Sequence, residues 1–139
     1  LDKALVLHEP GYERSPEGIA KIMATSKVIL ERNVQAVRCT GSAVLSLVWV
    51  ACGRANAYYA GLHDRDCPKP WDWCAGYVIG IEAGASFARC DTRSYPGGPA
   101  AKPPGAFDIY SKSCIVASSP QLCADLRQII TAACRSATD

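Results

Sequence analysis

Val34-Gln35-Ala36-Val37-Arg38-Cys39-Thr40-Gly41-Ser42-Ala43-Val44-Leu45-Ser46-Leu47-Val48-Trp49-Val50-Ala51-Cys52-Gly53-Arg54-Ala55-Asn56-Ala57-Tyr58-Tyr59-Ala60 runs as strand, turn, helix and strand. Val34 to Cys39 reads as the first strand. Thr40-Gly41-Ser42 is a tight turn into a helix lasting from Ala43 to about Cys52. That helix is apolar on nearly every side, which predicts a central position. Gly53 ends it, and Ala57 to Ala60 forms the next strand.

The pattern extends outward in both directions. Upstream, Lys3 to His8 is short and continuously apolar, as a buried strand is. Ser15-Pro16-Glu17 opens a helix: serine caps, proline suits the first helical position, and glutamate suits the positive end of the dipole. Ile19, Ile22, Met23, Ser26, Ile29 and Leu30 follow as its expected inner face, and Asn33 stops it. Downstream, Gly61 to Pro70 is a polar loop. Trp71-Asp72 starts a helix that runs to about Ala83 and stops at Gly84. Ser86 to Arg89 reads as an edge strand, and Tyr95 to Gly105, rich in Pro and Gly, as a solvated excursion. Cys114 to Ala117 is a strand. Ser119-Pro120 caps a last helix with Leu122, Leu126, Ile129, Ile130 and Ala133 inside. Helices alternating with short apolar strands predict a layered α/β fold without repeats or an internal domain boundary.

The chain has 139 residues, 49% hydrophobic and 20% charged, which fits one domain and excludes a disordered or coiled-coil chain. Net charge is +2, with no basic arm or basic-aromatic stripe, so no nucleic-acid partner is expected. The longest apolar stretch, Ala43 to Cys52, is too short to span a bilayer, and no membrane span is expected. No signal or transit sequence is apparent. The first residue is Leu1, on an apolar run, and a missing upstream segment is expected. The eight cysteines form no C-x-x-C pair; Cys52, Cys74, Cys123 and Cys134 fall in helical patterns and Cys114 starts a strand. Reduced, structural thiols are expected, in the cytoplasm or an organelle interior and not in a secreted protein.

Two features carry chemistry. Trp71-Asp72-Trp73 places a carboxylate between two indoles at a helix start. Such a carboxylate is commonly a cap; flanked by rings that exclude water, it is also a candidate ligand for a hard cation such as Mg²⁺. Thr40-Gly41-Ser42-Ala43 joins a strand to a helix N-terminus, which makes either an anion pocket or ordinary strand-to-helix packing. His8 and His63 remain without a role, and His63, in a charged loop, is expected to be solvated.

Together these stretches resemble the inositol monophosphatase family. Gly41-Ser42-Ala43 through Val50-Ala51-Cys52-Gly53 looks like its G-S/T-A-A-x-x-x-x-x-V-A-x-G segment. Asn56-Ala57-Tyr58-Tyr59 resembles D-A-Y-Y. Lys69-Pro70-Trp71-Asp72-Trp73-Cys74-Ala75-Gly76 with Glu82-Ala83-Gly84 resembles K-P-W-D-x-A-A-G and E-A-G-G. Gly105-Ala106-Phe107-Asp108 and Ile115-Val116-Ala117-Ser118 resemble G-P-F-D and I-I-A-A-N.

The resemblance covers the C-terminal half of that fold, with residues 1–139 as one domain and a mixed sheet flanked by helices. It implies a Mg²⁺-dependent, lithium-sensitive phosphatase acting on a small phosphate monoester, inositol monophosphate first. It implies that Asp72 is catalytic and holds the metal, and that Gly41, Ser42, Ala43 and Asp72 bind substrate. The family's N-terminal half, with its metal-binding Glu and D-P-x-D-G-T motif, is absent from this sequence, so the lone chain is expected to be inactive. Its expected partners are that half or a partner chain, as a homodimer or in a larger assembly. Ala60 stands where inositol enzymes carry a hydroxyl-binding Glu, and the Gly61–Pro70 insertion follows; Asp64 or Asp66 is positioned in sequence to replace that Glu. Phosphatases for nucleotide, histidinol or sugar bisphosphate substrates share the pattern. The rival reading is a non-catalytic structural subunit. The thiol assignment has its own check: the chain, denatured without reductant, should show eight titratable thiols, and fewer would place disulfides in it.

Overall fold

The computed structural model describes residues 1–98 and 105–137, in which four α-helices flank five strands. In chain order they are β1 (Leu5–His8), α1 (Pro16–Leu30), β2 (Ala36–Arg38), α2 (Ala43–Ala51), β3 (Ala57–Ala60), α3 (Pro70–Glu82), β4 (Ser86–Ala88), β5 (Cys114–Ala117) and α4 (Pro120–Ser136). The strands form one mixed sheet in the order β2-β1-β3-β5-β4. β1 pairs in parallel with both β2 and β3, whereas β5 is antiparallel to β3 and β4.

Alternation along the strands sends side chains to two cores. Val6, Tyr59, Ile115 and Ala117 face α1 and α4, and pack with Ile29, Leu126 and Ile130. Leu7, Tyr58, Cys114 and Val116 face α2 and α3, and pack with Leu47, Val50 and Trp73. The layered α/β fold with a mixed sheet is therefore the observed one. Helix starts follow the caps in the sequence: Ser15, Ser42 and Ser119 accept the N–H groups of Gly18, Leu45 and Leu122.

Four expectations need correction. The inner face of α1 is Gly18, Thr25 and Ile29, while Ile19, Met23 and Leu30 are exposed. Ile29 packs in the core with Leu126 and Ile130 of α4, Thr25 turns its hydroxyl back to the Lys21 and Ile22 carbonyls, and Gly18 lies against the Glu13 side chain. α2 is not buried all round, because only Ser46, Leu47 and Val50 are buried and Leu45 lies open. Cys39, Cys52 and Cys74 are exposed, although all eight cysteines are free thiols. Of the Tyr95–Gly105 excursion, residues 99–104 lie outside the described residues. Its near end is not a free excursion, since the Tyr95 N–H donates to the Tyr110 carbonyl and Ser94 bridges to Ser111. Among the described residues no helix is long and apolar enough to cross a membrane.

His8, at the end of β1, stacks on Tyr59 at 4.1 Å with its Nδ1 3.2 Å from the Tyr59 carbonyl oxygen. Nε2 is buried without a partner. Burial pushes the ring down to about 4, because a second N–H would meet no acceptor there. The unfolded chain takes up this proton near pH 6.5 and the native one only near 4, so His8 withdraws stability as pH falls between those values. Its share is about 3 kcal/mol at one pKa unit per 1.36 kcal/mol. Urea unfolding of the complete protein at pH 7 and pH 4.5 should show His8→Phe losing markedly less stability than wild type on acidification.

Candidate active site

β1 has a parallel neighbour on each side, and the chain leaves it over one face of the sheet and reaches β3 over the other. A crevice opens at the C-terminal ends of strands at such a reversal. Here it is a cavity of about 450 Å³. Gly41, Ser42, Ala43 and Asp72 all line it, together with Glu9, Arg65, Asp66 and Lys69. The turn and the carboxylate, far apart in sequence, are thus brought to one place.

The turn is held by a residue the sequence reading did not single out. Oε1 of Glu9 accepts the N–H groups of Thr40 at 2.6 Å and Gly41 at 3.0 Å, and the Thr40 hydroxyl at 3.1 Å. Gly41 takes a φ of +77°, a left-handed conformation in which a side chain is strained. Ser42 then caps α2, its Oγ accepting the Leu45 N–H. The N–H groups of Ala43 and Val44, first in the helix, have no intrahelical acceptor and border the cavity. The signal for Glu9 was its place directly after a central strand, where site residues of parallel sheets stand.

Asp72 is positioned by the start of α3. Its Oδ2 accepts the Lys69 N–H at 2.7 Å while its own N–H donates to the Lys69 carbonyl at 2.9 Å, a reciprocal cap. The expected sandwich between two indoles is not formed: Trp71 is 74% exposed, and only Trp73 is buried, donating Nε1–H to the Ser111 carbonyl. Helical residues two apart point about 200° apart, so Trp71 and Trp73 cannot both turn inward. Backbone hydrogen bonding, not ring packing, fixes the carboxylate. Oδ1 of Asp72 has no protein donor among the described residues, and a carboxylate oxygen is the donor type Mg²⁺ prefers. Among the described residues no three His, Cys, Asp or Glu side chains gather as a metal-binding group. The donors fit a share of a Mg²⁺ site, with Asp72 as one ligand.

The loop after β3 is built, not solvated. It contains a short 3₁₀ turn, Asp64–Asp66. Asp66 Oδ1 accepts the Tyr12 N–H at 2.6 Å, and its Oδ2 accepts that of Glu13 at 3.3 Å. His63 is buried, contrary to expectation, with Nε2 3.3 Å from Asp66 and Nδ1 3.0 Å from Glu13, the latter poorly aligned for a hydrogen bond. Burial pushes the His63 ring below its ordinary pKa against the pull of Asp66 and Glu13. Hydrogen bonds from Ser15 and then Arg14 hold Glu13 down at about 2. Asp64 pairs with Arg93 and Lys112 outside the cavity, so of the two loop carboxylates only Asp66 shares the cavity with Ala60.

The sequence pattern of the inositol monophosphatase family matches residues 3–132. Inositol monophosphatase of Dictyostelium discoideum is 35% identical over 100 residues, 68% of this chain and 35% of that protein. Inositol monophosphatase 1 of Rattus norvegicus is 30% identical over 120 residues, 86% of this chain and 37% of that protein. The solved IMPase of Thermotoga maritima shares the fold, with a TM-score of 0.70 at 19% identity over 99% of this chain and 44% of that one. The chain belongs to the inositol monophosphatase family, and it spans about a third of the length of these two relatives.

The Glu9 brace is open to direct measurement. Glu9→Ala should cost about 1 kcal/mol in urea unfolding, as a half-buried pair of N–H groups loses its acceptor, and should speed amide exchange at Thr40 and Gly41. Unchanged exchange at both would show that the carboxylate does not hold the turn.

Proposed function

We propose that the complete protein hydrolyses a small phosphate monoester with Mg²⁺, inositol monophosphate first, and that this chain is its C-terminal half. The observation that carries this reading is the single cavity shared by the Gly41-Ser42-Ala43 turn and Asp72 at the N-termini of two helices. Family membership supports phosphatase chemistry in general.

The chain's own residues have distinct parts in that chemistry. The unpaired N–H groups of Ala43 and Val44, at the positive end of α2, attract phosphoryl oxygens. Arg65 and Lys69 add positive charge at the rim. Asp72 offers a fixed carboxylate oxygen to the metal while its partner oxygen stays on the Lys69 N–H. When bound, Mg²⁺ lowers the pKa of a water and neutralises charge on the phosphoryl and leaving oxygens. Ala60 offers no acceptor to a ring hydroxyl, and Asp66 already serves two backbone N–H groups, so we expect weak preference for inositol phosphate over simpler esters.

A partner covers this chain in the same reading, as its missing half, a second copy or a larger assembly. The exposed Leu45, Trp71, Val78, Ile79 and Ile81 of α2 and α3 support that. The free thiols support a reducing compartment.

The deciding experiment compares wild type and Asp72→Asn in the complete protein, with Mg²⁺, on inositol monophosphate and glycerol phosphate. Asparagine still caps α3 but lacks the charge. Turnover should fall more than about 100-fold, beyond what loss of an outer-shell partner costs a metal site, with the unfolding midpoint kept. Equal loss of stability and activity would reduce Asp72 to a cap. A wild type inactive on both esters would favour the non-catalytic subunit.

A further inference from the structure

We propose that a second cavity, on the α1–α4 side of the sheet, binds a small phosphate-bearing anion. It lies between α4 and the segment that follows β4, and measures about 550 Å³. It is separate from the cavity that holds Asp72, and the reading of that site does not depend on it.

Arg89 is the anchor. It is only 8% exposed, yet among the described residues its side chain has one partner, the Ser94 hydroxyl, 3.3 Å from Nη1. Its Nε is buried with no acceptor. Arginine does not give up its proton in a protein, so the charge stays. A buried charge without a counterion is costly, and natural structures resolve it with a partner. Among the described residues no carboxylate supplies one. Asp91, the only acid among the described residues of the cavity wall, accepts Nε and Nη2 of Arg93 at 2.9 Å and 2.7 Å.

A second guanidinium faces the same space. Arg127, from α4, donates Nε–H to the Arg89 carbonyl at 3.2 Å, which fixes its side chain at the wall. Gly105 makes room for it: a Cβ there would lie 2.4 Å from the Arg127 Cζ, and φ is +81°. No carboxylate pairs with Arg127 among the described residues. Two guanidinium groups without counterions match a doubly charged anion better than a single carboxylate. Their planar forks suit phosphate oxygens two at a time. The volume exceeds one phosphate ion and leaves space for an organic group attached to it.

The test is carried out on the complete protein in phosphate-free buffer with EDTA, following the arginine Nε–H resonances by NMR. Inorganic phosphate and glycerol phosphate are titrated separately. The Arg89 Nε–H should move downfield and saturate. Arg127→Gln should weaken the binding about tenfold, the lower end of what a hydrogen bond to a charged group contributes. Arg89→Lys, which keeps the buried charge but loses the fork, should weaken it as well, while Arg54→Gln, an exposed cation after α2, should not. Saturation by phosphate at lower concentration than by the ester identifies the free ion as the ligand; the reverse order identifies a monoester. No saturable shift with either probe to about 10 mM, the weak end of recognition, would overturn the proposal. So would saturation that Arg127→Gln and Arg89→Lys both leave unchanged.

Discussion

Parallel pairing on both sides of β1 is the constraint from which the rest follows. Parallel neighbours cannot be joined by a hairpin, so each connection must climb over the sheet, and both must do so with the same hand. Moving one way from β1 to β2 and the other way from β2 to β3 therefore puts α1 and α2 on opposite faces. The ends of β1 and β3 are left open between them. Glu9 follows one strand end directly and Ala60 closes the other, and α2 begins at the same end of the sheet. β4 runs parallel to β3 with β5 between them, so the chain crosses once more through α3, which packs beside α2 and brings Asp72 to the same opening.

Element order was legible because the chain punctuates itself. Ser15 and Ser119 cap the helices they were read to cap, and the apolar runs at Leu5, Ala57 and Cys114 are the central strands. What the sequence hid depends on partners distant in sequence. Periodicity in α1 admits a wide apolar arc, and only the core shared with α4 selects Ile29 within it. His63 looks like a loop histidine until Asp66 and Glu13 arrive from two segments to surround it. Burial of polar residues is decided by mutual satisfaction, which no local window contains. The geometry around Asp72 was within reach of sequence reasoning: a carboxylate third in a helix commonly turns back to the cap, and indoles two residues apart on a helix must diverge.

Charge in the cavity is largely committed before any ligand enters. Glu9 and Asp66 are anions at the mouth of a site meant to hold another anion, which on its face is unfavourable. Each is spent on backbone N–H groups, so its oxygens face donors and hold loops in place. The part of the α2 terminus left over is the pair of N–H groups at Ala43 and Val44. Under the proposed function, recognition of a phosphoryl group rests on few donors held rigidly, and rigid donors cost no reorganisation when the charge arrives.

The two helical layers differ in a way that bears on what surrounds the chain. α4 exposes Gln121, Gln128, Arg135 and Ser136 on its outer side, as a helix bordered by water does. α2 has no charged residue at all, and α3 has only Asp72 near its start and Glu82 at its end. Their inner sides meet the sheet through Leu47, Val50 and Trp73, while Leu45, Val78, Ile79 and Ile81 point away from it. A helix pair apolar on both sides is stable in water only with both sides covered. Whatever covers that second side also borders the cavity, because α2 and α3 both begin there. Under the proposed function, a contact that buries the apolar layer would bring further oxygen donors up to Asp72, so burial of this face and completion of the proposed metal site would be one event rather than two.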